Sequence, residues 1–319
     1  MLTLFFVLPC YNEREMLPLS APILRDKLED LIGRGEVSPE SRIVFVDDGS
    51  KDGTWDIICG LHRENRLFRG IKLAHNRGQQ NALLAGLMTV RTECDAVITM
   101  DADLQDDINA VDEMLQRCRE GAQIVYGVRS DRDRDSFFKR TTAHAFYRIM
   151  RFMGAEIIYD HADYRLMTRR ALDALSEYGE VNLFLRGIVP SIGFSTARVL
   201  YSRQERKAGK TKYPLKKMLT FSLDGITSFS VRPMRLITSA GLLIFIVSLV
   251  LLIYSLVRHL CGETVTGWTS TVISIWAVGG LQMLCIGVIG EYIGRIYLET
   301  KHRPRYTVEE YLSDGDRSL

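Results

Sequence analysis

Several features are scarce or missing in this chain, and each absence excludes a class of protein. None of the six cysteines (Cys10, Cys59, Cys94, Cys118, Cys261, Cys285) forms a CxxC pair, and two lie in or beside a strongly apolar region. A disulfide framework or zinc site is therefore not expected; reduced thiols facing the cytosol are. The six histidines form no ligand-spaced cluster. No GxxxxGK(S/T), HExxH or GxSxG occurs, so P-loop, zincin and hydrolase readings have no support. The net charge of +2 over 319 residues is too small for a general nucleic-acid binder. With 46% hydrophobic and 25% charged residues, disordered, collagen-like and coiled-coil classes are excluded. The N-terminal Met1–Leu8 is apolar but short, lacks a basic flank and runs into Asn12-Glu-Arg-Glu15. It is expected to be a buried strand rather than a signal peptide.

Charge is also unevenly missing. Leu236 to Val257 is a run of about 22 residues without a charge, long enough to cross ~30 Å of hydrocarbon as a helix. A second such stretch runs from about Trp268 to Ile289, and the connector, Arg258 to Gly267, is short. The pair is expected to form a helical hairpin. Basic residues cluster outside it: Arg203 to Arg235 before the first span, and Arg295, Lys301, Arg303 and Arg305 after the second. Both ends should therefore be cytoplasmic. Two buried helices of a soluble core are the alternative.

The region before the hairpin alternates strand and helix signals. β-rich runs occur at Thr3–Leu8, Arg42–Val46, Phe68–Leu73, Ala96–Met100 and Ile124–Val128. Amphipathic stretches fall at about Glu13–Ile32, Thr54–Glu64, Gly78–Arg91 and Ile108–Glu120. This alternation predicts an α/β fold with a mostly parallel sheet and helices on both faces. Ligands in such sheets sit at the carboxyl ends of the strands, near a switch in strand order.

Polar clusters follow three of the strands: Pro9-Cys-Tyr-Asn-Glu13, Asp47-Asp-Gly-Ser-Lys-Asp-Gly-Thr54 and Asp101-Ala-Asp-Leu-Gln-Asp106. Taken singly, each could be helix capping or turn chemistry. Asp101 and Asp103, however, stand one residue apart in an extended segment and can converge on one hard cation. Mg²⁺ or Mn²⁺ suits oxygen ligands and is typically shared with phosphate oxygens. Three clusters on one sheet edge point to a site for a nucleotide diphosphate.

These motifs resemble family 2 glycosyltransferases of the GT-A (Rossmann-like) fold. Gly127-Val-Arg129, Ala162-Asp-Tyr-Arg-Leu-Met167, Arg206-x-x-Gly-x-Thr-x-Tyr213 and Gly290-Glu-Tyr-Ile-Gly-Arg295 narrow the resemblance to polyprenyl-phosphate glycosyltransferases. The branch is that of bactoprenol glucosyltransferases, related to dolichol-phosphate mannose synthase. The resemblance implies that Asp101 faces the nucleotide and that Asp103 is the principal metal ligand, with Asp101 assisting. It places Asp47 and Asp48 beside the nucleoside, with Pro9, Tyr11 and Glu13 lining the same pocket together with Ala102. Gln105 would lie near the metal–phosphate region. A core role for Pro9 and Tyr11 stays open.

By the same resemblance, Arg129, Arg140 and Arg206 would bind the phosphate of a lipid acceptor, a task suited to the guanidinium fork. Asp163 falls where the family places an acidic residue close to the acceptor. General base and structural partner are both open for it, because a phosphate monoester has a second pKa near ~6 and is mostly deprotonated at cytosolic pH.

Two further stretches, Ser136–Met153 and Pro214–Val231, mix aromatic or apolar residues with cations in the manner of interfacial amphipathic helices. The expected organisation is a cytoplasmic GT-A catalytic domain at 1–206, a juxtamembrane amphipathic segment at 207–234, two transmembrane helices (about 236–257 and 268–290) within 235–293, and a cytoplasmic tail at 294–319.

The expected function is an inverting, metal-dependent transfer of a hexose from a nucleotide-diphosphate sugar to undecaprenyl or another polyprenyl phosphate. It would take place at the cytoplasmic leaflet of a bacterial inner membrane. UDP-glucose is the first expectation by resemblance, ahead of mannose, N-acetylhexosamine and aminoarabinose donors. Rivals are the same fold with another lipid acceptor such as diacylglycerol, and a silent nucleotide-sugar-binding scaffold that recruits a flippase. Processive synthases of this fold carry a QxxRW segment, which is missing. The expected partners are the donor, the lipid phosphate and the bilayer, with no nucleic acid; a homo-oligomer and a flippase stay open.

Overall fold

The computed structural model describes residues 1–130, 161–180, 185–202 and 267–317, together with scattered positions between 234 and 257. The chain divides into two units, one carrying a β-sheet and the other a long C-terminal helix.

The sheet unit begins with the run Leu-Phe-Phe-Val-Leu-Pro-Cys, which forms β1 (Leu4–Cys10) and is almost wholly buried. Strands covered on both faces read as continuous apolar runs, and β2 (Arg42–Asp47) and β4 (Ala96–Thr99) behave alike. Between them lie α1 (Leu17–Gly33), α2 (Thr54–Glu64), β3 (Phe68–Leu73) and α3 (Gln79–Val90). Then follow α4 (Ala110–Arg119), β5 (Ile124–Arg129), β6 (His161–Thr168), α5 (Arg169–Ser176), α6 (Leu185–Ser191) and β7 (Thr196–Tyr201). A last strand, β8 (Val308–Leu312), follows the long C-terminal helix α7 (Trp268–Thr300) in the chain.

The eight strands are ordered β7-β5-β6-β4-β1-β2-β3-β8. Four ladders are parallel (β1 with β2, β1 with β4, β2 with β3, β5 with β7). Three are antiparallel (β4 with β6, β5 with β6, β3 with β8). Helices cover both faces. Leu4, Phe6 and Leu8 of β1 share a core with Leu24 and Leu28 of α1 and Met114 of α4. The alternate residue Val7 points the other way, toward α3, where a Cβ on Gly86 would come within 2.6 Å of it. Side chains alternate along a strand, so these two sets lie on opposite faces.

The chain builds outward from β1 through β2 to β3, then returns to place β4 on the other side of β1. That reversal puts the switch in strand order between β1 and β4, and ligands of such sheets bind at the carboxyl ends beside that point. The five strands and four helices expected from sequence all form, with small shifts at their ends. Strands β6, β7 and β8 and helices α5 and α6 were not foreseen. Strand β8 lies within the stretch expected as a tail, yet it pairs with β3 and completes the sheet edge.

Helix α7 spans 33 residues. It continues past the apolar stretch expected to end near residue 290, because Gly290-Glu-Tyr-Ile-Gly-Arg295 contains no helix-breaking proline. Glu291 and Arg295 instead form an i,i+4 pair at 3.3 Å. By length and composition Val278–Thr300 can cross a membrane, and its apolar side chains, such as Met283, Ile286 and Ile293, are exposed. Nine of the 22 residues of the first expected span, its connector up to residue 266 and both expected interfacial segments lie outside the described residues.

Candidate active site

The polar clusters fall just beyond the strands, as the topology requires. After β1, Asn12 takes a left-handed conformation at φ 52° and its side chain accepts the Lys51 N–H at 3.0 Å, tying the first cluster to the second. Thr54 Oγ1 accepts the Glu13 N–H at 3.0 Å and Asp52 accepts the Arg14 N–H at 3.2 Å. Pro9 sits within β1, and Tyr11 is 38% exposed beyond its end.

After β2, Asp47 and Asp48 are buried. Gly49 turns the chain at φ +65°, where a Cβ would strike the Asn76 nitrogen at 2.7 Å, so only glycine fits. The Asp48 carboxylate accepts the N–H groups of Arg77 and Gly78 at 2.7 and 2.8 Å, and Asp47 accepts the Ser50 N–H at 3.3 Å. Burial pushes both carboxyls up, and these backbone bonds oppose it. Asp48 thus organises the loop that leads into α3.

That loop delivers Gln79, whose amide donates to Asp101 at 2.7 Å. Asp101 follows β4 at the centre of an acidic group. Burial, followed by the negative charges of Asp106, Asp163 and Asp103, pushes its carboxyl up to about 7. Ala102 is buried beneath the motif, and Leu104 is held at φ 51°, a strained conformation for a non-glycine residue. Asp103 accepts the Gln105 N–H at 3.2 Å, which fixes the turn.

The antiparallel register of β6 brings Asp163 to the same place. Thr99 pairs with Arg165, so continuing the ladder sets Asp163 level with Asp101. Asp163 is 8% exposed and bonded to two guanidiniums, Arg165 Nη2 at 2.7 Å and Arg186 Nη2 at 3.1 Å. Burial lowers the proton affinity of Arg165, and Asp163 opposes this.

Arg129 ends β5. Gly127, two residues earlier, packs where a Cβ would meet the Tyr164 ring at 2.8 Å. The Arg129 Nε donates to the Tyr201 hydroxyl at 3.2 Å, and that hydroxyl donates to Asp106 Oδ1 at 2.5 Å. Burial, with Asp106 adding to it, pushes the Tyr201 phenol up. Tyr201 also meets Tyr164 edge-on at 5.2 Å. The last residue of β7 therefore joins the acidic motif to the arginine at the end of β5.

Among the described residues no three His, Cys, Asp or Glu side chains are set together as a metal cage. What the chain offers is a crowd of like charges around Asp101, the arrangement that a divalent cation would relieve. Asp103 and Asp101 fit such an ion if phosphate oxygens and water complete its shell. Arg140 and Arg206 lie outside the described residues. Arg186 and Tyr201 were missed from sequence. Tyr201 had only its place at the end of an apolar run to mark it, and Arg186 had no marker at all.

Comparison with known proteins follows this geometry. Glycosyl transferase family 2 matches residues 5–176, and the GtrB C-terminal hairpin matches residues 232–296, spanning both apolar runs. A protein named uncharacterized glycosyltransferase YkoT, from Bacillus subtilis (strain 168), is 52% identical over 306 residues, covering 96% of this chain and 91% of its own. The bactoprenol glucosyl transferase of Shigella phage SfX is 39% identical over 306 residues, covering 95% and 97%. The prophage bactoprenol glucosyl transferase homolog of Escherichia coli (strain K12) is 38% identical over 305 residues, with the same coverage.

Proposed function

Because the chain belongs to glycosyl transferase family 2 and carries a GtrB C-terminal hairpin, we propose that it transfers a hexose, glucose first, from a nucleoside-diphosphate sugar to polyprenyl phosphate. The donor of first choice is UDP-glucose. The observation that carries this reading is the meeting of Asp101, Asp103 and Asp163 at the sheet's switch point, with Arg129 at the end of a nearby strand.

In this scheme the nucleoside diphosphate lies over the ends of β1, β2 and β4, where Tyr11, Glu13 and the Asp47–Asp48 loop shape its pocket. Asp103, assisted by Asp101, holds Mg²⁺ or Mn²⁺, which when bound neutralises charge on the departing diphosphate. Arg129 receives the lipid phosphate, with Arg140 and Arg206 joining it. A phosphate oxygen of the acceptor attacks the anomeric carbon. The carbon–oxygen bond to the nucleoside diphosphate breaks on the opposite side, giving inversion and a polyprenyl-phosphate sugar. Because the nucleophile is already ionised near neutral pH, no base needs to take a proton from it. Fixing both substrates in line contributes the orientation term.

The hairpin holds this site at a bilayer, with both termini and the catalytic unit on the cytoplasmic side of a bacterial inner membrane. Similarity to bactoprenol glucosyl transferases over 95% of the chain supports glucose and a prenyl acceptor. The test is a donor panel: purified protein, undecaprenyl phosphate, Mg²⁺ or Mn²⁺, and single UDP- or GDP-sugars, with extracted lipid identified by mass. Glucosyl phosphoryl-undecaprenol from UDP-glucose is expected. Transfer to diacylglycerol, or no glycolipid from any donor, would overturn the reading.

A further inference from the structure

We propose that Arg186 of α6 is a positioning residue for the transfer: it holds the Asp163 carboxylate aimed beside Asp101. This rests on the proposed reading of the site and assigns a role to a residue that lies outside the acidic motifs.

The geometry is a side-on fork. Arg186 Nε donates to Asp163 Oδ1 at 3.3 Å and its Nη2 donates to Oδ2 at 3.1 Å. Two contacts from one planar guanidinium fix a carboxylate's direction as well as its charge. Arg165 adds a bond to Oδ1 at 2.7 Å from the buried side. Arg165 is 1% exposed, whereas the Arg186 side chain is 42% exposed. The two cations thus grip Asp163 from the core and from the open side.

Helix α6 is docked so that this grip is possible. The Leu185 N–H donates to Gln80 Oε1 at 2.8 Å, and Arg165 Nη1 donates to the Leu185 carbonyl at 3.4 Å. Gln79, the neighbour of Gln80 at the start of α3, donates to Asp101. The first turn of α3 therefore bonds Asp101 with one residue and α6 with the next. Asp163 adds negative charge beside Asp101, and Arg186 adds positive charge there. Removing Arg186 would leave Asp163 held by the Arg165 bond to Oδ1 and without the two-point contact that fixes its direction.

A carboxylate held this way has its direction fixed by two guanidiniums. Its task is to keep a fixed negative charge and fixed direction where the sugar ring and the attacking phosphate meet.

The experiment uses the full-length protein in nanodiscs and compares wild type with Arg186→Ala, Arg186→Lys, Asp163→Asn and the Arg186→Ala/Asp163→Asn pair. Steady-state transfer is read against both donor and acceptor concentration. Arg186→Ala should lower kcat roughly 10- to 100-fold, the scale of a misplaced reacting group, with both KM values within about threefold. Added guanidinium should restore part of kcat, Arg186→Lys should recover part of it, and the double variant should be no slower than Asp163→Asn alone.

A rise in donor or acceptor KM at unchanged kcat would make Arg186 a phosphate ligand and overturn the proposal. So would full activity in Arg186→Ala, or additive losses in the double variant. Wild-type protein inactive toward every lipid phosphate would refute the proposed function instead. The pairing is then decided by melting temperature: the Arg186→Ala loss should be smaller in the Asp163→Asn background, and an undiminished loss would overturn the proposal.

Discussion

The burial of Asp101 among other acids has a cost in stability that can be measured. An acid whose pKa is raised by folding stabilises the folded state below its unfolded pKa, and that contribution is lost as pH rises through the folded value. For Asp101 the window runs from 3.8 to about 7. The shift of about 3 pH units corresponds to roughly 4 kcal/mol at 1.36 kcal/mol per unit, and to about 2–4 kcal/mol once partial solvent access is allowed for. Replacing Asp101 with Asn removes the charge and keeps an oxygen for the Gln79 amide. In metal-free protein at pH 8, the Asp101→Asn variant should melt about 3–6 °C above wild type. The difference should shrink toward zero near pH 4. Mg²⁺ or Mn²⁺ should raise the wild-type melting temperature more at pH 8 than at pH 6, and the variant's far less. The assay is differential scanning fluorimetry in detergent across pH, with and without EDTA. Equal melting temperatures of both proteins at pH 8 would refute the argument that burial and the neighbouring carboxylates penalise the charge on Asp101.

Two other outcomes follow from the same geometry. Tyr201→Phe keeps the ring against Tyr164 but deletes the hydroxyl between Arg129 and Asp106, so the acceptor KM should rise about 5- to 20-fold, as expected for loss of one or two bonds to charged groups; a change confined to the donor KM would contradict this. Asp314 accepts from Arg69 at 2.7 Å and Arg42 at 2.9 Å. Burial works to raise its pKa, but those bonds outweigh it and hold the carboxyl at about 2. This contribution is present above 3.8 and lost as pH falls through about 2. With the side chain 37% exposed, Asp314→Ala should cost only about 1 kcal/mol at neutral pH, read as a melting shift that fades in acid; a loss unchanged down to pH 2 would argue against the ion pairs.

The parallel half of the sheet was legible because strands buried on both faces are written as apolar runs. Leu4–Cys10 and Arg42–Asp47 are examples, and the turn and acidic motifs after them mark the strand ends. Strand β6 was hidden because His161-Ala-Asp-Tyr-Arg-Leu-Met-Thr168 has two buried ionic residues where an apolar pattern would be read. Strand β8 was hidden for a different reason. Val-Glu-Glu-Tyr-Leu is a polar edge strand far from its partner in sequence, since it pairs with β3 across the whole hairpin. In the site, Asp101, Asp103 and Asp163 were legible as motif members. Their mutual repulsion was not, because it depends on the register of β4 against β6. Arg186 shows the limit most clearly: an arginine on a short helix carries no pattern, and only the placement of α6 reveals its partner.

The most direct test of the central claim is a single-turnover transfer of labelled glucose from UDP-glucose to undecaprenyl phosphate by the membrane-embedded protein. It is run with Mn²⁺ or EDTA, for wild type and Asp103→Asn. The account predicts a mild-acid-labile glucosyl lipid from wild type with metal, and a loss of at least 100-fold on adding EDTA or removing the Asp103 carboxylate. Undiminished transfer by the Asp103→Asn variant in EDTA would contradict it.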